Sequence, residues 1–126
     1  MRKVRILLLS PPALSQLIEH LFRDRNGLEI VGRVDTLSGV AKAGRLLPEL
    51  IVANVKPVRT GIGPAVASIK RSNPLSKLIL ICSVAEFISG ARSWGADACL
   101  NQEQLVHRLV PTALALSKNR KPLPNR

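Results

Sequence analysis

Hydrophobic and polar positions along this chain fall into two alternating kinds of block. Short aliphatic runs occur at Val4–Leu9, Leu28–Val34 and residues 50–53, 78–82 and 99–100. Between them lie longer stretches in which apolar residues recur every three or four positions. The runs are too short for helices and predict strands, the first buried on both faces. Leu14, Leu17, Ile18, Leu21 and Phe22 stand opposite Gln16, Glu19, His20 and Arg23, which predicts a helix over 12–25. Pro12 suits its first turn, where no backbone donor is needed, and Asn26-Gly27 stops it. Asp35-Thr36 can cap a second helix over 37–47, with Leu37, Val40, Ala41, Gly44 and Leu47 on its inner face. A turn-rich segment through Gly61 and Gly63 leads to a third helix carrying Ala65, Val66, Ile69 and Lys70, ended by Asn73-Pro74. A short fourth helix is expected over 85–94, closed by Gly95. The last begins near Gln102 and carries Leu105, Val106, Leu109, Ala113 and Leu116. Pro111 inside it is expected to kink or split it.

Five strands alternating with five helices predict an α/β domain: a doubly wound parallel sheet with helices on both faces. In such a fold a binding site lies at the carboxyl ends of the strands. No internal repeat is present. Residues 119–126, polar, basic and containing two prolines, are expected to form a tail without regular structure.

Composition narrows the class. The 126 residues are 46% hydrophobic with only two Phe, one Trp and no Tyr, which fits aliphatic strands under helices and excludes a disordered chain. No apolar run is long enough to span a bilayer. The opening Met1-Arg2-Lys3-Val4-Arg5 looks superficially like a signal peptide. Its apolar run, Ile6 to Leu9, is too short and no cleavage site follows, so a cytoplasmic location is expected, with no membrane partner. Cys82 and Cys99 lack metal spacing and read as reduced thiols near the ends of neighbouring strands. The net charge of +11 would attract nucleic acid, acidic proteins or anionic lipid. The basic residues are nevertheless spread along the chain, with few aromatics to stack on bases, which favours a solvated basic surface over a dedicated nucleic-acid site.

Several segments resemble the receiver domain of bacterial response regulators, especially receivers that precede a helix-turn-helix output domain. Arg5-Ile6-Leu7-Leu8-Leu9 is similar to the family's first strand, and Leu28-Glu29-Ile30-Val31-Gly32 to its second. Pro48-Glu49-Leu50-Ile51-Val52-Ala53 is similar to the strand leading to the phosphoacceptor. Leu78 to Ser83 resembles the fourth strand with its terminal Ser/Thr, and Gly95-Ala96-Asp97-Ala98 the turn before the fifth. The resemblance spans residues 4–118 in order. It implies a receiver-like domain over 1–118 of flavodoxin-like, CheY-like fold, with strand order 2-1-3-4-5.

In that family two acidic residues after the first strand and an Asp ending the third hold magnesium. The Asp accepts the phosphoryl group, the Ser/Thr bonds a phosphoryl oxygen and a Lys pairs with it. Here the acidic pair falls on Ser10 and Pro11, the phosphoacceptor on Asn54 and the Lys on Gln102; only Ser83 keeps the family's chemistry. The aromatic switch position falls on Cys99. Pro57 comes one residue early, and the stretch from Ser83 to Gly95 is short. The resemblance thus implies a degenerate phosphorylation pocket, no catalytic residue, no metal and no cofactor.

Other chemistry is set aside. Gly61 and Gly63 follow a third strand and lack a third glycine, so they form no phosphate-binding fingerprint. His20 and His107 have no ligand partners at metal spacing. Ser10, Ser83 and Asp97 lack a nearby His for a triad. The expected function is a phosphorylation-independent signalling or regulatory domain working through protein contacts. Its partner or second copy would meet the face of fourth helix, fifth strand and fifth helix, including Arg92, Trp94, His107 and Arg108; for Trp94, partial burial against a neighbouring helix is favoured over an interface role. Two alternatives remain: a sensor of a small polar ligand or anion, using the vacated pocket near Lys56, and non-specific nucleic-acid association by the basic surface.

Overall fold

The computed structural model describes residues 3–23, 27–54, 63–82 and 95–118. Their strands are β1 (Val4–Leu9), β2 (Leu28–Val34), β3 (Leu50–Asn54), β4 (Lys77–Cys82) and β5 (Ala98–Asn101). The helices are α1 (Pro12–Phe22), α2 (Leu37–Lys42), α3 (Gly63–Ser72) and α4 (Leu105–Lys118), with 3-10 turns at Ala43–Leu46 and Gln102–Gln104. The helix expected over 85–94 and the tail 119–126 lie outside the described residues.

The strands form one parallel sheet in the order β2-β1-β3-β4-β5. Parallel strands joined by helical crossovers leave both faces to be covered, and the aliphatic runs supply both. Ile6, Leu8, Leu50, Val52, Ile79 and Ile81 point to one face, where Ile18 and Phe22 of α1 and Leu105, Leu109 and Ala113 of α4 meet them. Leu7, Leu9, Ile51, Ala53, Leu78 and Leu80 point to the other, under Val40 and Ala43 and under Val66 and Ile69 of α3. Each of the Leu, Ile, Val and Phe side chains among them contributes about 1.5–3 kcal/mol by leaving water.

Polar contacts fix the joins. β2 slips by one residue against β1, so that Ile6 faces Ile30 but Leu7 faces Gly32. A Cβ at Gly32 would lie 2.9 Å from Leu46 Cδ1 and 3.1 Å from Leu7 Cδ1, so a larger residue there would have to push these two side-chain ends aside. Thr36 caps α2, its Oγ1 accepting from Gly39 N at 3.1 Å. The turn before β5 is pinned by Asp97. Its carboxylate accepts from Leu78 N at 2.7 Å and from Lys70 Nζ at 3.2 Å.

Several expected boundaries and faces are corrected. α1 ends at Phe22 instead of running to residue 25. Its inner stripe is centred on Ile18 and Phe22, which leaves Leu17 exposed at the edge. The second helix stops at Lys42 and tightens into the 3-10 turn, which cannot run past Leu47 because Pro48 disfavours helical backbone there. Ala43 is therefore the buried residue, whereas Ala41 and Leu47 face solvent. On α4, Val110 is buried and Val106 exposed. Pro111 does not split that helix. Both Pro111 and His107, whose carbonyl loses its donor, are exposed, so water can satisfy the carbonyl.

Leu47 closes the 3-10 turn in the left-handed region, with φ 53° and ψ 56°. A non-glycine residue there costs roughly 1–2 kcal/mol, and at 74% exposure Leu47 recovers little by burial. Leu47→Gly should therefore stabilise the domain by up to about 1 kcal/mol in urea unfolding. A lowered midpoint would show that the leucine makes packing contacts that outweigh the strain.

Candidate functional site at the carboxyl edge of the sheet

Because all five strands run the same way, their carboxyl ends share one edge. The register pairs Leu9 with Ala53, Asn54 with Ile81 and Cys82 with Asn101. Extending each strand by one residue sets Ser10 beside Asn54, and Gln102 just past Asn101. The edge therefore gathers Ser10, Pro11, Asn54 and Gln102, the sequence-predicted pocket residues that lie within the described segments. Ser83 and Lys56 lie outside them, as do Arg92 and Trp94.

The groups gathered here are neutral. Ser10 is 4% exposed, and its Oγ lies 2.5 Å from Ser15 Oγ on the first turn of α1. Its backbone N–H donates to the Val34 carbonyl at 3.1 Å. Pro11 is exposed and serves as the N-cap of α1, where it offers neither a side-chain oxygen nor a donor. Asn54 is half-buried at the end of β3. Gln102 is exposed on the 3-10 turn, which is closed by a reciprocal cap: Gln104 N donates to Asn101 Oδ1 at 3.1 Å and Asn101 N to Gln104 Oε1 at 3.0 Å. Cys99, at the switch position, is half-buried opposite Leu80 and so stands two register positions from Cys82.

A cavity of about 390 Å³ opens beside Ser10, between the start of α1 and the end of β2. Its charged walls are Glu19, Arg33 and Asp35. Arg33 bridges to Glu19 with two parallel hydrogen bonds, Nε to Oε2 and Nη2 to Oε1. The bond from Arg33 holds the Glu19 carboxyl below its ordinary range, against a smaller opposing effect of burial and with Arg33 and Arg23 charges adding to it. Ser15 and this bridge were not among the predicted residues. Ser15 was legible as a polar residue three positions before Ile18, on the core side of α1; the bridge joins α1 to β2 and left no local trace.

No protein-family model matches the chain, and no curated protein matches it. Solved structures do. A LuxR-family two-component response regulator from Aurantimonas sp. SI85-9A1 superposes with a TM-score of 0.78 at 17% identity, over 98% of this chain and 91% of that one. The response regulator domain of Thermotoga maritima CheB gives 0.74 at 15% identity, over 96% and 100%. The isolated REC domain of RcsB from Salmonella enterica serovar Typhimurium gives 0.81 at 14% identity, over 98% and 95%. The fold is that of response-regulator receiver domains. On the receiver fold, the gathered residues stand at the strand ends, and the exposed His107 and Arg108 stand on α4, which packs beside β5.

Ser15→Ala should remove the partner of a buried hydroxyl and cost about 1–2 kcal/mol in urea unfolding; an unchanged midpoint would mean that the Ser10–Ser15 contact contributes nothing. The Glu19–Arg33 bridge is largely exposed and worth under about 1 kcal/mol. Because the folded-state pKa of Glu19 is lowered, that stabilisation is complete above the ordinary carboxylate range and is lost as pH falls through the lowered value. Glu19→Gln should flatten this part of the stability–pH profile, and an unaltered acid limb would assign it to other carboxylates.

Proposed function

We propose that the chain is a non-enzymatic, phosphorylation-independent receiver-like domain of the two-component type that acts through protein–protein contacts. The observation that carries this reading is the neutral chemistry of Ser10, Pro11, Asn54 and Gln102, the positions at which receivers would hold the metal and the phosphoryl group. A magnesium ion needs carboxylate oxygens. At the two positions after β1 the chain has the Ser10 hydroxyl, already committed to Ser15, and the prolyl ring of Pro11. Asn54 presents a carboxamide, which is too weak a nucleophile to take a phosphoryl group and forms no acyl phosphate. Gln102 brings no cation to pair with one. These residues do not fit the metal, so no phosphoryl-transfer step is assigned to them.

With phosphorylation gone as input, occupancy by a partner can carry the information in its place. The face formed by β5 and α4, with His107 and Arg108 exposed, is the surface assigned to that partner or to a second copy. A cytoplasmic setting fits this role, and none of the described helices is long and apolar enough to cross a membrane. The cavity beside Ser10 favours a second reading, recognition of a small polar ligand; Arg33 in its wall is already paired with Glu19 and Asp35 adds a negative charge, so the wall suits a neutral or cationic group better than an anion.

Incubation with acetyl phosphate and magnesium, followed by intact mass measurement, should give no phosphoryl adduct, and beryllofluoride should leave the amide spectrum unchanged. An adduct at any of these positions would overturn the reading. A thermal shift with an added small polar ligand that disappears in Asp35→Ala would instead promote the ligand reading.

A further inference from the structure

The opposite, amino edge of the sheet carries a second cavity, of about 410 Å³, within the range of ligand-binding clefts. It lies between the segment leading into β3 and the turn from α3 to β4. Its walls are mainly apolar, with Leu47 and Pro48 on one side and Pro74 and Leu75 on the other. Leu47 and Leu75 are 74% and 82% exposed. Two leucines held out to water on facing sides of one cleft extend the apolar surface beyond its floor, so an occupant that covers them must reach past the cavity itself.

Two further features describe that occupant. Asn73, 6% exposed, also lines the cavity, and its Nδ2 has no hydrogen-bond partner among the described residues. Its carboxamide abuts Gly44, where an added Cβ would come within 3.4 Å of Oδ1. Buried amide donors are rarely left unmade; Nδ2 is itself closed off from solvent, so a carbonyl or carboxylate oxygen in the cleft reaches it once the Asn73 amide turns toward the opening. The lining is also more cationic than anionic: Arg5 and Arg45 against Glu49. Arg45 is exposed, and the Arg5 guanidinium is held in the wall by bonds to the Leu46 carbonyl, at 3.0 Å from Nε and 2.8 Å from Nη2.

We propose that this amino-edge cleft docks a segment of a partner protein that combines leucine-type side chains with flanking carboxylates. The apolar side chains would lie between Leu47 and Leu75, the segment's oxygen atoms would meet Asn73, and its acidic residues would face Arg45. This surface lies at the other end of the strands from Ser10 and Asn54, so it is independent of the reading given to the carboxyl edge, and the phosphorylation tests do not bear on it.

The test uses three fluorescein-labelled peptides of about 12 residues. Each carries the same pair of leucines, four residues apart, flanked by Asp/Glu, by Ser or by Lys. Anisotropy titrations should show binding of the acidic peptide, weaker binding of the serine peptide and none of the lysine peptide. The double variant Leu47→Asp/Leu75→Asp, altered only at exposed positions and checked for folding by circular dichroism, should weaken the acidic peptide at least about tenfold. Arg45→Glu should weaken it while leaving the leucines in place, and amide shifts should centre on Gly44, Leu47, Asn73 and Leu75. The proposal is overturned if no peptide binds, if the lysine peptide binds as well as the acidic one, or if the double variant binds unchanged. Sedimentation showing a dimer that the double variant abolishes would also overturn it, by assigning the cleft to a second copy.

Discussion

The constraint on which this molecule depends is that its three central strands are buried on both faces. Leu7 and Leu8, Ile51 and Val52, and Ile79 and Leu80 are each at most 1% exposed, and successive residues face opposite layers. A sheet of that kind holds only if helices cover both sides, and here the parallel strands, which need helical crossovers between them, place those helices on both faces. The consequence reaches past stability. All carboxyl ends collect on one edge and all amino ends on the other, while the faces between are filled with packed aliphatic side chains. Recognition is left to the two edges and the outer surfaces of the helices. The two cavities beside Ser10 and between Leu47 and Leu75 lie at those edges, one at each.

The carboxyl edge illustrates what a neutral residue set does to such a site. A cluster of carboxylates at strand ends repels itself and needs a cation to hold it together. Here the hydroxyls of Ser10 and Ser15 bond to each other inside the fold. The nearest bridged charges, Glu19 and Arg33, pair between α1 and β2, a join that needs no external ion. In the proposed reading this edge has exchanged a switchable electrostatic centre for fixed hydrogen bonding. A fixed edge suits a domain whose state is set by what it binds.

Much of the fold was legible because two-sided burial writes itself as uninterrupted aliphatic runs. β1 and β2 have the expected limits, and the strand order follows the resemblance to receivers. The helix faces were less legible. Leu17 and Val106 fall on the helical period, but they sit at the margins of their stripes, and only the neighbouring elements decide which margin is covered. Pro48 marked the limit of the second helix, but its tightening into a 3-10 turn from Ala43 had no local signal. At the candidate site, the type of each side chain was readable from the sequence, but its partner was not. That Ser10 would bond Ser15 depends on the angle at which α1 leaves β1. For Lys56, Ser83, Arg92 and Trp94, which lie outside the described residues, the sequence reading stands by itself.

The places where local rules fail separate into two kinds. Leu17 and Val106 are exposed apolar residues on otherwise well-covered helices, and isolated exposed leucines and valines are ordinary on any protein surface. The amino edge is different, because three departures meet in one cleft. Leu47 adopts left-handed backbone without being buried, Leu75 is the most exposed large apolar residue among those described, and Asn73 buries an amide donor that finds no acceptor. The left-handed backbone and the unpaired amide each cost stability for a separate physical reason, while the exposed Leu75 forgoes the gain of burial. Segments that break several local rules at once tend to be functional or strained sites. One occupant, apolar at its centre and bearing oxygen acceptors, would relieve two of the three, covering both leucines and satisfying Asn73. The left-handed backbone of Leu47 would remain, as the conformation that presents its side chain to that occupant.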